Sequence, residues 1–175
     1  GKTPYEEIFL EYGILGTAIH ALTLLIFDKN ILSLIMITCL LYSTSIYLIG
    51  LIVYKVTLNK NYSFFSTIII FMIYPWPVTP WPNFISFFFT TIFCYFYLYK
   101  EKKYAIFSGI SLALAYLTFT TVYNFIIIFF ALVILFFILT NYKKLNKNFI
   151  QKNIYLAISF LFILIIFLIY LFIND

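Results

Sequence analysis

Long uncharged apolar runs alternate with short lysine-bearing segments along this chain. Residues 31–54 form the first full-length run. Residues 61–99 carry no charge and are long enough for two helices of about 20 residues, the length that crosses a bilayer core. They are interrupted by PWPVTPWP at 75–82, which holds four of the five prolines. Proline lacks a backbone donor and pushes its predecessor out of the helical region, so a turn is expected there. Residues 104–140 are again uncharged and two helices long, with the polar stretch TFTTVYN at 118–124 as the expected break. Residues 154–173 are the last run. Solid runs such as LAISFLFILIIFLIYLFI lack the alternation of an outer-membrane strand, so the pattern predicts an all-α, multi-spanning transmembrane helical bundle with six crossings.

The lysines support this count independently. Threading six crossings puts Lys55, Lys60, Lys100, Lys102, Lys103, Lys143, Lys144, Lys147 and Lys152 on one side. Only Lys2 and Lys29 fall on the other. An excess of lysine marks the cytoplasmic side, so the chain is read as a multi-pass protein of the cell membrane. Residues 1–30 form an external loop and interfacial helix, and 31–175 a six-span domain. Glu6, Glu7, Glu11, Asp28 and Asp175 then lie outside.

Composition agrees with this picture. The chain is 65% hydrophobic and 10% charged, and its net charge of +5 reflects lysines near anionic headgroups. Nucleic acid is not an expected partner, because the basic residues are divided among short loops without forming one face. Cys39 and Cys94 fall in separate runs at no metal-ligand spacing and read as small buried side chains. The chain starts without an initiator Met and stops just after a span, so it is expected to be a piece of a longer membrane protein.

Polar chemistry concentrates in GKTPYEEIFLEYGILGT, residues 1–17. Glu7 and Glu11 stand four apart, on one face of a helix over 5–12. Ionised carboxylates are costly in hydrocarbon, so this external, amphipathic, juxtamembrane helix should turn them toward water. There they either solvate the helix or do chemistry: position a hydroxyl acceptor, act as general base, or hold a divalent cation. His20 is the only histidine. It lies nine residues from Glu11, on the opposite face of an unbroken helix, and meets it only if Gly13 or Gly16 breaks that helix. The Pro/Trp turn is either a stiff aromatic belt or a rigid rim for a lipid or sugar, with Asn83 opening the next run. Thr118, Thr120, Thr121, Tyr123 and Asn124 either satisfy a helix break or meet a phosphate.

The leader G-K-x-P-Y-x-E-x-F-x-E-Y-G-x-L-G resembles the first external loop of the GT-C superfamily, the membrane glycosyltransferases that use polyprenyl-phosphate sugars. It is most similar to protein-mannosyltransferase-like and aminoarabinose-transferase-like bacterial enzymes. Gly1, Pro4, Tyr5, Tyr12, Gly13 and Leu15 match. Glu7 stands where those enzymes often have Asp, and Ile14 replaces a common Pro. YPWPVTPWPNFISFFF resembles their proline-containing external turn. KEKKYAIFSGISLALAYLTFTT is similar to a later basic loop and Gly-containing helix. It departs at its end, where Thr120 or Thr121 replaces an expected phosphate-contacting lysine.

The resemblance implies transfer of a sugar from a polyprenyl-phosphate donor to a glycan, lipid or protein acceptor outside the membrane. It casts Glu7 and Glu11 as catalytic groups and Tyr5, Tyr12, His20, Asn83 and Thr120 as substrate-binding ones. The family's catalytic Asp would lie upstream of Gly1, so the isolated chain is expected to be inactive. The alternatives are a transporter or flippase and a structural membrane subunit. Transport calls for ionisable residues at mid-membrane, and the predicted spans contain none.

Overall fold

The computed structural model describes residues 13–27, 29–73, 82–118 and 147–174, and these form six helices and no strand. They are α1 (Ile14–Ile26), α2 (Ile31–Thr57), α3 (Lys60–Ile73), α4 (Pro82–Tyr97), α5 (Lys102–Thr118) and α6 (Lys147–Asn174). The stretches Ile31–Thr57 and Asn148–Ile173 are long and apolar enough to cross a membrane. At 1.5 Å per residue, the 27 residues of α2 extend about 40 Å. Helices α1 and α3 and the stretch Asn83–Tyr97 of α4 are apolar but shorter.

The first and last apolar runs correspond to α2 and α6. The Pro/Trp run lies between α3 and α4, and residues 74–81 are outside the described residues. Helix α5 is described up to Thr118, and the polar break expected over 118–124 otherwise lies outside the described residues. The span expected next, and the helix expected over 5–12, are also outside the described residues.

Contacts between helices fix their directions. The Ser63 hydroxyl donates to the Gly50 carbonyl at 2.7 Å, and the Tyr42 hydroxyl to that of Ile70 at 3.2 Å, so α2 and α3 are antiparallel. Ser108 donates to the Phe93 carbonyl at 3.1 Å, and Phe96 stacks on Tyr104, so α4 and α5 are antiparallel. Tyr42 meets Phe84 edge-on while Lys55 sits over Tyr99, so α2 runs parallel to α4. Lys102 faces Tyr155, and Gly109 abuts Leu156 and Ser159, so α5 and α6 are parallel. The described lysines of α2, α5 and α6 that touch aromatic rings therefore gather at one end, the lysine end. The other is called the Gly13 end. The chain leaves α5 at the Gly13 end and enters α6 at the lysine end.

Helix α5 is central, packed against α4, α6 and α1. Its buried residues are mainly small: Ala105, Ser108, Gly109, Ser111, Ala113 and Ala115. Small side chains let backbones approach closely. A Cβ at Gly109 would overlap the Ser159 hydroxyl and the Leu156 carbonyl, so only glycine fits this α5–α6 contact.

Small hydroxyl-bearing side chains share the described interior with apolar ones such as Ile85 and Phe93. Of the five largest fully buried side chains, four are hydroxyl-bearing (Thr38, Thr118, Ser45 and Ser108). Leu25, Ile73 and Phe172 are 75%, 72% and 87% exposed. The inward hydroxyls of Thr38, Ser45 and Thr118 donate to carbonyls one turn back in their own helices, at 2.7–2.8 Å. That local bond satisfies a hydroxyl without needing water.

Candidate functional site

The Gly13 end is built around one backbone contact. Gly13 is extended, with φ −62° and ψ 152°, and caps the start of α1. Its N–H donates to the carbonyl of Thr118, the last described residue of α5, at 3.0 Å. A Cβ on residue 13 would overlap the carbonyl of Leu117, so this seam requires glycine.

Because Gly13 is extended, Glu11 and His20 do not belong to one continuous helix. Gly13 precedes the first turn of α1, while Glu11 lies outside the described residues. Gly16 lies within α1 and is buried.

Helix α1 packs against α5, α2 and α4. Gly16 and Thr23 are its buried residues, and His20 falls between them on the same stripe at helical spacing. Leu22, Leu25 and Ile26, on the other side, are 56–75% exposed. The His20 side chain is half-buried, yet its Nε2 is buried without a hydrogen-bond partner. Burial holds the imidazole below its usual pKa and favours the neutral ring. Thr23, one turn on, donates to the Ile19 carbonyl at 2.8 Å.

Thr118 is fully buried, and its hydroxyl donates to Leu114 O at 2.7 Å. Its proton is thus committed to α5, and the hydroxyl does not present a free donor to a phosphate.

Asn83 stands at the N-terminal end of α4 and is exposed. It lines a cavity of about 470 Å³ between α2, α3 and α4, with Tyr42, Ile49, Ile70, Ile73, Phe84 and Phe87. The cavity is apolar apart from the Asn83 amide and the Tyr42 hydroxyl. Tyr42 is held by its bond to Ile70 and by edge contact with Phe84 at 5.3 Å between ring centres. An apolar trough with a single amide at its rim suits a hydrocarbon chain carrying a polar head.

The structure thus seats His20 and Asn83 at or near the Gly13 end, on α1 and α4. Tyr5, Glu7, Glu11, Tyr12 and Thr120 lie outside the described residues, as do Thr121, Tyr123 and Asn124. Among the described residues no group of three His, Cys, Asp or Glu side chains stands close enough to hold a metal ion. Cys39 and Cys94 are free thiols on α2 and α4. Two features escaped the sequence reading. One is the Tyr42 trough, whose walls come from three helices. The other is the Gly13 seam, although Gly13 already stood out as a candidate break. Comparison with protein-family models, with curated proteins and with solved structures finds no match.

Proposed function

We propose that the chain is part of a membrane glycosyltransferase that takes a sugar from a polyprenyl-phosphate donor on the external face of a bilayer. The observation that carries this reading is the Gly13–Thr118 hydrogen bond. It ties Gly13, which follows the acidic segment in sequence, to Thr118, which opens the Thr-rich stretch in sequence. Two peptide units reach at most about 7 Å, so Glu11 and Tyr12 are confined near that seam by connectivity alone.

The leader then brings a carboxylate to the Gly13 end, and the trough beside Asn83 accepts the lipid chain of the donor. One carboxylate, Glu7 or Glu11, takes the proton from the acceptor hydroxyl as it attacks the anomeric carbon. The bond to the polyprenyl phosphate breaks on the opposite face, and the phosphate departs toward the apolar trough. Neutral His20 adds no positive charge under the leader and can accept a hydrogen bond at Nε2. A bundle of six crossings with apolar side chains outward and bonded hydroxyls inward supplies the membrane setting. The middles of the described helices carry no Asp, Glu, Lys or Arg, which disfavours a transport pathway.

The test is turnover of a synthetic polyprenyl-phosphate sugar by the full-length protein in liposomes. If one carboxylate is the base, Glu7→Gln or Glu11→Gln lowers the rate about 100-fold or more. Unchanged turnover in both variants contradicts the assignment and returns the two residues to solvation of the leader.

A further inference from the structure

The lysine end, remote from the proposed chemistry, carries a second organised feature. Lys55 lies over the Tyr99 ring, and Lys103 over Tyr104 at 5.0 Å. Those two rings touch, with centres 4.4 Å apart. On the neighbouring side, Lys102 lies 5.4 Å from the Tyr155 ring and Lys152 4.0 Å from Tyr97. Lys152 also donates to the Tyr97 carbonyl, closing the C-terminal end of α4. Four ammonium groups from three helices are therefore held by four tyrosines instead of trailing freely.

Charge at this end is one-sided. Six lysines with described side chains (55, 60, 100, 102, 103 and 152) share this end with a single described carboxylate, Glu101. Glu101 is already paired with Lys103 at 2.9 Å. The first turns of α3, α5 and α6 lie here and contain no acidic residue. A helix N-terminus is itself partly positive and favours anions. The C-terminal ends of α2 and α4 also lie here, and Lys152 already serves the carbonyl of Tyr97, so the cations outnumber the single carboxylate mainly through the lysine side chains themselves.

We propose that this end is a discrete, saturable docking surface for the phosphate headgroup of an anionic phospholipid. Charge complementarity carries the assignment. Tyrosine rings sit at the headgroup level of a bilayer, and cation–π contacts hold ammonium groups in place, so the site is arranged before the lipid arrives. This goes beyond the general attraction of lysines to a negative leaflet, because it ties affinity to ring-held lysines. It rests on the membrane setting proposed above and not on the transferase chemistry.

The full chain is reconstituted into phosphatidylcholine vesicles and into vesicles of phosphatidylcholine and phosphatidylglycerol in equal parts. Insertion is checked by carbonate extraction, and co-purifying lipid is then counted by native mass spectrometry after detergent extraction. The expected result is retention of phosphatidylglycerol to a fixed stoichiometry. Surface lysines contribute about fivefold each, so Lys55→Gln with Lys102→Gln lowers that retention at least tenfold while circular dichroism stays unchanged. A second variant, Tyr99→Leu with Tyr155→Leu, keeps every charge and still weakens retention. An inserted protein with no preference for phosphatidylglycerol overturns the proposal. So does retention that survives both variants, or equal displacement by inorganic phosphate, which would mark a site for free anions. A chain extracted by carbonate overturns the docking surface together with the membrane setting.

Discussion

The two ends of this bundle solve opposite problems. At the Gly13 end the key contact is backbone to backbone, the nearby trough is apolar, and the nearest described titratable side chain on α1 is an uncharged His20. At the lysine end the contacts are mainly between side chains, and four of them pair an ammonium with a tyrosine ring. Close backbone approach tolerates no added atom. A fringe of long, flexible side chains tolerates many changes. The first end is therefore specific and fragile, and the second is robust to single substitutions.

The largest expected effects lie where glycine permits contact. Gly13→Ala and Gly109→Ala each force a methyl against a backbone carbonyl. Overpacking of this kind costs about 1–3 kcal/mol. Thermal unfolding in micelles should show both, but only Gly13→Ala should also free the leader, seen as faster proteolysis before residue 13. Equal proteolysis in the two variants would break the distinction between seam and core.

His20 gives a smaller and pH-dependent effect. Its folded pKa lies below the ordinary 6.5 because burial penalises the imidazolium. The unfolded chain thus binds the proton more tightly. The stability associated with the neutral ring is complete above pH 6.5 and is lost as pH falls from 6.5 through the folded value. His20→Leu removes that slope. It should also add about 1 kcal/mol at pH 7 by replacing a buried, unpartnered nitrogen. Urea or detergent unfolding across pH 5–8 measures both, and an unchanged slope would show that the ring is hydrated.

The smallest effect belongs to the lysine end. Glu101 and Lys103 form an ion pair whose side chains are 62% and 61% exposed. Exposed pairs of this kind contribute little, so Glu101→Gln should leave the unfolding midpoint unchanged. A clear drop would show that the lysine end is more rigid than its exposure suggests.

Much of the bundle was legible in the sequence. The runs at 31–54 and 154–173 foretold α2 and α6, and the position of the lysines foretold that α2, α5 and α6 share one charged end. The candidate site was less legible, because contacts between distant segments leave no local period. Tyr42 reads as one more apolar residue of α2 until Ile70 and Phe84 arrive from elsewhere. The inward stripe of α5 was partly visible as Ala, Ser and Gly in KKYAIFSGISLALAYLT, but composition alone does not say which helices press against it. Four lysines of the charged end, Lys55, Lys102, Lys103 and Lys152, lie over tyrosine rings, and lysine–tyrosine proximity at run ends was the overlooked signal.

The central claim is that the two ends face opposite sides of a bilayer. Single cysteines placed in a background lacking Cys39 and Cys94 test it directly. Lys29→Cys reports on the Gly13 end and Lys100→Cys on the lysine end. In intact cells a membrane-impermeant maleimide should label residue 29 at once and residue 100 only after permeabilisation. Labelling of both from outside, or of residue 100 alone, would contradict the orientation and with it the placement of the proposed sugar transfer.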